Sequence, residues 1–124
     1  MDAPVRTVAE VLAEVADVLF PGDPERQADT TVHSRGIAED TPLHVLAWRR
    51  DAAGAAVLIA AGAEVNAAGD MDETPLHVAL RNADRAFVDL LVRAGARTDL
   101  RSSFGDTAAE SATRLGLADW LAGL

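Results

Sequence analysis

The chain has 124 residues, of which 49% are apolar and 25% are charged. This length and composition indicate one globular domain and argue against a multidomain enzyme. There is no cysteine, which excludes disulfides, thiolate metal sites and cysteine nucleophiles. The net charge of −9 opposes nucleic-acid binding, because an acidic surface repels the phosphate backbone.

The chain carries no pattern typical of a membrane or secreted protein. The longest apolar run, residues 55–63, is about half of a membrane span. Acidic residues interrupt the apolar positions near the N-terminus, unlike a secretion signal. All eleven basic residues are Arg, a usage typical of GC-rich bacterial genomes. We therefore expect a bacterial, cytoplasmic protein that binds neither membranes nor nucleic acid.

Residues 5–20 are predicted to form an amphipathic helix. Its apolar residues recur at spacings of three and four, and they are Val5, Val8, Val11, Leu12, Val15 and Leu19. Two prolines, Pro21 and Pro24, end the pattern, and residues 21–31 are predicted to be a polar connector. We expect the apolar stripe of this helix to cap the structure that follows.

One segment of the chain recurs at a fixed offset. The pentapeptide TPLHV begins at Thr41 and again at Thr74, and the tripeptide Ala-Gly-Ala recurs at the same offset. Between residues 41–67 and 74–100, eleven of the twenty-seven aligned positions are identical. A third copy begins at Thr107, which matches Thr74, and its further identities with the second copy are Ala112, Arg114 and Leu124. The chain is therefore predicted to consist of repeated units.

Each unit is predicted to contain two antiparallel helices. A threonine suited to the N-cap, followed by proline in the first turn, begins a helix of about eight residues. The second helices are predicted at residues 52–61 and 85–94, and the glycine after each suits the left-handed C-terminal conformation. Val65-Asn66 and Thr98-Asp99 are expected to follow in extended form. Polar, glycine-bearing loops then lead to the next unit.

The TPLH start of this helix–turn–helix unit, the Gly-Ala-x-Val-Asn end and the repeat length of about 33 residues resemble the ankyrin repeat. The resemblance covers residues 32–124 and implies an all-α solenoid of stacked helix pairs with short hairpin-like loops. It divides the chain into four segments. These are an N-terminal capping helix and connector (1–31), two repeats (32–67 and 68–100) and a C-terminal capping repeat (101–124).

The sequence departs from the family pattern at two places. The Gly-His pair that usually joins the two helices is replaced by Arg50-Asp51 and by Ala83-Asp84. We therefore expect turns that differ in length from the family norm. The last copy reads Thr-Ala-Ala-Glu from Thr107 in place of TPLH, and this spacing predicts a capping box.

The chain offers few residues for catalysis or metal binding. His44 and His77 occupy the same position of the repeat, and the resemblance implies that each bonds to the loop of the next repeat. The acidic residues Asp70, Asp72 and Glu73 could suggest calcium, but their spacing lacks the pattern of a dedicated site. An exposed acidic loop tip is the preferred interpretation. We expect no enzyme activity, no metal and no cofactor.

In ankyrin proteins the recognition surface is generally the concave face, which loop tips and exposed residues late in the first helix form. Carried over by position, this recognition face comprises Trp48, Arg49, Arg81, Asn82, Arg114, Met71, Phe104, Asp70, Glu73 and Asp106. Equivalent or adjacent tip positions hold Ile37, Ala38, Asp40 and Ser103. Trp and Arg contribute most to interface energies. In the alternative interpretation, Trp48 packs against the N-terminal connector and Phe104 packs beneath the last loop.

The resemblance implies a non-enzymatic module that binds a protein partner through this face. Arginines between acidic tips suit a partner with a mixed, somewhat acidic surface. One alternative is an immunity or inhibitor protein that neutralises a single bacterial partner. Another is a structural protein that self-associates through the small residues 52–56. A monomer is expected, and a dimer remains an alternative.

Overall fold

The computed structural model describes residues 5–36 and 38–122. This part of the chain contains seven α-helices, two 3₁₀ helices and no strand. The α-helices are α1 (Val8–Leu19), α2 (Pro24–Ala28), α3 (Pro42–Trp48), α4 (Ala52–Ala60), α5 (Pro75–Arg81), α6 (Arg85–Arg93) and α7 (Ala108–Leu115). Within the described residues no helix is long and apolar enough to cross a membrane. The predicted recognition position Ile37 and the repeat match at Leu124 lie outside the described residues.

Helix α1 begins at Val8, so the predicted start at residue 5 is wrong. Thr7 and Glu10 form a capping box: the Glu10 N–H donates to Thr7 Oγ1 (3.1 Å), and the Thr7 N–H donates to a Glu10 carboxylate oxygen (3.0 Å). These bonds hold Thr7 in an extended conformation, so the helix begins only after Thr7. Val5 therefore lies outside the helix and is 83% exposed.

The apolar stripe of α1 packs against α3 and α4, and its buried members are Val11, Leu12, Val15, Ala16 and Leu19. Arg6 strengthens this contact by bonding to both Glu14 and Asp51 at 2.6–2.8 Å. Gly54 permits this approach, because a Cβ atom there would lie 2.8 Å from Arg6 Nη2. The N-terminal helix thus covers the open side of the first helix pair.

The segment predicted as a polar connector contains a helix of five residues, α2. Asp23 caps it by accepting a hydrogen bond of 3.1 Å from the Arg26 N–H, and Pro24 occupies its first turn. None of the residues in α2 is buried. The apolar periodicity that predicts a helix is therefore absent here, because this helix is formed by capping and not by burial.

The helix pairs α3–α4 and α5–α6 form at the predicted positions, and the second helices end one residue earlier than predicted. Arg50 and Ala83 join the helices in the left-handed conformation, with φ of 60° and 49°. The next residues, Asp51 and Asp84, cap α4 and α6 through their side chains. The two turns have equal length, and each places a side chain where the family usually has glycine.

Three hairpin tips occupy equivalent positions in successive units. In each tip a backbone N–H donates to the carbonyl four residues later: Gly36 to Asp40 (2.8 Å), Gly69 to Glu73 (2.8 Å) and Ser102 to Asp106 (2.9 Å). The segment before the second tip departs from the prediction, because Val65-Asn66 forms a turn and is not extended. Val32-His33 forms the same turn one unit earlier, which extends the repeat pattern toward the N-terminus.

The apolar core is continuous from α1 to α7. The last unit differs from its predecessors on its outer side. Leu76 and Leu80 of α5 are fully buried, whereas the equivalent residues of α7, Ala109 and Thr113, are exposed. The predicted capping box is present, with bonds of 3.0 and 3.1 Å between Thr107 and Glu110. The face of α7 that points away from α5 is therefore small and polar.

Candidate functional site

The three apolar residues of the recognition face are exposed to solvent. Trp48 is 48% exposed, Met71 is 47% exposed and Phe104 is 62% exposed. Trp48 is the last residue of α3, and the other two lie in consecutive hairpin tips. Neither Trp48 nor Phe104 is fully covered by the rest of the chain, so these side chains remain accessible to a partner.

Trp48, Arg81 and Glu73 form a layered cluster across two repeats. The Arg81 guanidinium lies 5.6 Å from the centroid of the Trp48 ring, which is within cation–π range. The same guanidinium bonds to both carboxylate oxygens of Glu73, and the Nη1–Oε1 distance is 2.9 Å. A bidentate pair holds an arginine in one orientation. The planar surface formed by Trp48 and Arg81 is therefore preorganised.

Glu73 differs from its predicted role as an exposed acidic residue of the recognition face. Only 6% of it is exposed, because its side chain turns inward beneath Arg81. Its backbone carbonyl also accepts a hydrogen bond from His44 Nε2 at 2.8 Å. A buried carboxylate requires a charged or hydrogen-bonded partner, and Arg81 supplies it. Glu73 therefore orients Arg81 instead of facing solvent.

The same relationship recurs one repeat later between Arg114 and Asp106. Arg114 Nη1 bonds to Asp106 Oδ2, and the side chains are 62% and 30% exposed. The first repeat lacks this pair, because Trp48 occupies the position of the arginine. There Asp40 accepts a hydrogen bond of 2.9 Å from the Asp70 N–H instead.

Hydrogen bonds connect the second and third hairpin tips. The Ser103 N–H donates to the Met71 carbonyl (2.8 Å), and the Ser103 hydroxyl donates to Asp72 Oδ2 (2.9 Å). Met71 and Asp72 both have the left-handed conformation, with φ of 56° and 55°. Residues other than glycine rarely adopt this backbone conformation without compensating contacts. The contacts between the tips fix the backbone positions of Met71 and Ser103, beside Phe104.

Two of the predicted recognition residues connect parts of the fold. Arg49 Nη1 donates to the Glu14 carbonyl of α1 at 2.7 Å. Asn82 Nδ2 donates to the Ala47 carbonyl at 3.2 Å, and the Asn82 carbonyl accepts from Arg50 at 2.6 Å. These bonds join α1 to α3 and the second repeat to the first. Arg49 and Asn82 therefore have structural contacts that the sequence did not predict.

A groove of about 480 Å³ runs between α5 and α7 beneath the tips. It is lined by Glu73, His77, Arg81, Ser102, Phe104, Asp106, Ser111 and Arg114. Within the described residues, no cluster of three or more His, Asp or Glu side chains could hold a metal ion. The groove therefore combines two ion pairs with one exposed aromatic ring.

Sequence reasoning did not assign Ser111 to this site. Ser111 occupies the position of the repeat that holds Val45 in the first unit and Val78 in the second, so a hydroxyl replaces the apolar residue of the TPLHV pattern. It is 6% exposed and lines the groove. A polar residue at an apolar position of the repeat was the signal that could have identified it.

Comparison with known families supports the resemblance at the repeat that carries most of this surface. A family model described as ankyrin repeat matches residues 71–103, the stretch that contains Met71, α5 and α6 and the start of the third tip. No curated protein matches the chain. The chain thus contains an ankyrin repeat at residues 71–103, and its helical structure is consistent with an all-α repeat fold.

Proposed function

We propose that the chain is a non-catalytic module that binds a protein partner through the recognition face. Ankyrin repeats generally mediate protein–protein interaction. The observation that carries the proposal is the exposure of Trp48, Met71 and Phe104 along one face. Large exposed apolar side chains with a polar border are typical of interaction sites.

The arrangement around Trp48 resembles an interaction hot spot. Such sites are rich in Trp and Arg and lose little conformational freedom on binding when they are already ordered. Arg81 is held by Glu73 and stacks on Trp48. A partner that covers the exposed half of Trp48 gains apolar contact without the entropic cost of ordering Arg81.

The charges of the face favour a partner of mixed polarity. Arg81 and Arg114 alternate with the acidic residues Glu73 and Asp106. The pairs leave no net charge on these four residues, so a uniformly charged partner gains little from them. A mixed, somewhat acidic patch on the partner suits the exposed arginine edges.

The test is affinity capture from the source organism with a Trp48→Ala/Phe104→Ala variant as the comparison. Both side chains are exposed, so we expect unchanged helicity and a loss of partner recovery equivalent to more than about 1 kcal/mol. Val18→Ala is a matched control, because Val18 is also 48% exposed but lies on α1. Recovery of the same partner in equal yield by the double variant would contradict the proposal.

An immunity or inhibitor role is a narrower form of the same proposal. If the captured partner is an enzyme or toxin, addition of the chain at a one-to-one ratio should abolish its activity. The Trp48→Ala/Phe104→Ala variant should then fail to inhibit. A partner that keeps its full activity in the complex would exclude this role and leave the binding function in place.

Self-association through α4 is a second candidate, because Ala53, Ala56 and Ala60 form a solvent-exposed surface without charged side chains. Gly54 and Ala55 do not belong to this surface, since both are buried within the chain. Sedimentation velocity over a hundredfold range of concentration tests this candidate. A constant sedimentation coefficient of a monomer would exclude it.

A further inference from the structure

We infer that the groove between α5 and α7 binds a carboxylate side chain of the partner, with an apolar neighbour of that residue against Phe104. This inference rests on the proposed function and names the chemistry that the recognition face selects. It concerns one site, lined by Arg114, Ser111 and Phe104, and not the surface near Trp48.

The hydrogen-bonding groups of the groove favour an acceptor. Both carboxylate oxygens of Glu73 already accept from Arg81, and Asp106 already accepts from Arg114. Within the described residues, Arg114 donates only through Nη1. Its Nε and Nη2 hydrogens remain available, and the side chain is 62% exposed. A guanidinium with free N–H groups is the preferred partner of a carboxylate in proteins.

Ser111 supplies an independent observation. Its side chain makes no hydrogen bond within the described part of the chain, although the residue is only 6% exposed and lines the groove. The equivalent residues Val45 and Val78 are buried and apolar. In the described part of the chain, Ser111 Oγ is not among the fully buried side-chain atoms that lack a partner, so its hydroxyl opens into the groove and is available to a ligand. A carboxylate in the groove would accept from this hydroxyl, so the ligand accounts for a polar residue that the fold does not require.

Phe104 provides the apolar wall of the site. It is 62% exposed, and its neighbour Ser103 is fixed by the bonds to Met71 and Asp72. A groove of about 480 Å³ lies within the usual size range of ligand pockets. Lys or Arg of a partner would meet the guanidinium groups of Arg81 and Arg114 at the groove, and both carboxylate oxygens of Glu73 are already paired with Arg81. The geometry therefore favours an acidic occupant.

Ser111→Val is the central variant, because it restores the residue that the other two repeats carry. We expect it to leave the midpoint of thermal unfolding unchanged or to raise it. A phage-displayed library of random heptapeptides is selected on the wild-type chain and counter-selected on a Ser111→Val/Arg114→Gln variant. We expect the enriched peptides to carry Asp or Glu next to an apolar residue.

One enriched peptide and its analogue, with the acidic residue replaced by the amide, are then titrated by calorimetry. Loss of one hydrogen bond to a charged group corresponds to about a tenfold change in affinity. We expect about this weakening for the amide analogue and for Ser111→Val. Arg93→Gln on α6 is the control and should bind like the wild type.

Three results would overturn the inference: enriched peptides with Lys or Arg in place of the acid, no peptide enriched over the counter-selection, or equal affinity for Ser111→Val. The outcome is separable from that of the proposed function. A peptide or native partner could bind more weakly to the Trp48→Ala variant but equally well to the Ser111→Val variant. That result would support binding through the recognition face and exclude the carboxylate site.

Discussion

His44 Nε2 lies 2.8 Å from the backbone carbonyl oxygen of Glu73, one repeat further along the chain. Its other ring nitrogen, Nδ1, accepts a hydrogen bond of 3.1 Å from the Thr41 N–H. Because Nδ1 accepts, the proton of the neutral ring resides on Nε2, which donates to Glu73. His77 makes the corresponding bond of 3.0 Å to the Asp106 carbonyl. Each histidine thus links the N-terminus of its own helix to the following hairpin tip, at Glu73 for His44 and at Asp106 for His77.

Protonation of His44 should destabilise the fold. Burial lowers the pKa of His44 below its ordinary value of 6.5, and this outweighs the hydrogen bond to the Glu73 carbonyl, which favours the charged form. The unfolded chain therefore binds a proton at a higher pH than the folded chain. We expect the free energy of unfolding to decrease as the pH falls from about 7 through the folded-state pKa.

Urea unfolding between about pH 7.5 and 5 measures this dependence for the wild type and for His44→Gln. The variant should be about 2 kcal/mol less stable at the upper pH, because buried hydrogen bonds are lost. It should also lack the part of the pH dependence that His44 contributes. An equal slope in the two proteins would contradict the role assigned to His44.

Ala83→Gly should raise the free energy of unfolding. Ala83 has a φ of 49° in the turn between α5 and α6, where a Cβ atom costs about 1–2 kcal/mol. Glycine loses part of this gain because it is more flexible when unfolded, so we expect a net increase of about 0.5–1 kcal/mol. Chemical denaturation measures the change.

Ala56→Gly is the matched control, since Ala56 is exposed in the middle of α4. There the same substitution should lower stability by about 1 kcal/mol. Opposite signs at the two positions would separate the effect of the left-handed turn from a general effect of glycine. A lower free energy of unfolding for Ala83→Gly would contradict the prediction that the Cβ atom of Ala83 strains the turn.

Arg81 and Glu73 should be coupled in a double-mutant cycle. Arg81→Ala leaves the buried Glu73 carboxylate without its partner, and we expect a loss of about 2 kcal/mol. Adding Glu73→Gln should recover part of this loss, because the amide buries no charge. Additive effects of the two substitutions would show that the pair is not coupled. This expected instability is the reason for testing the recognition face with Trp48→Ala and Phe104→Ala.

Removal of residues 1–20 should abolish cooperative folding or lower stability strongly. The deletion exposes the surfaces of α3 and α4 that α1 covers, and each fully buried Val or Leu that is lost contributes about 2 kcal/mol. It also removes Arg6 from Asp51. Calorimetry of the truncated chain tests this expectation. An unchanged unfolding midpoint would contradict the assignment of α1 as a cap.

Structural features that depend on residues close together in the sequence could be predicted from it. The recurrence of TPLHV at Thr41 and Thr74 located α3 and α5, and a glycine marked the end of each second helix. The capping box at Thr107 was also predicted and is confirmed. Thr7 and Glu10 form the same type of box, which the apolar spacing alone does not indicate, so the predicted start of α1 at residue 5 is wrong. The start of a helix could therefore be predicted where the capping residues and the apolar spacing were both taken into account.

The orientation of side chains across the tips could not be predicted. Sequence alone placed Glu73 and Asp106 at exposed tips and Arg81 and Arg114 on exposed helices, but not the contacts between them. Glu73 and Arg81 are eight residues apart, so they meet only after the tip has folded back over the helix. The distinction between a residue that contacts a partner and one that orients it therefore required the tertiary structure.

The sequence by itself determined that this chain is a stack of helix pairs, because the periodicity of apolar and capping residues specifies local structure and a face that must be buried. Only the tertiary structure decided which polar groups are satisfied. Glu73 is buried against Arg81, whereas one carboxylate oxygen of Asp84, Oδ2, is buried without a hydrogen-bond partner in the described residues. Hydrogen bonding and desolvation depend on atoms brought together from distant positions, and a linear pattern does not contain those distances.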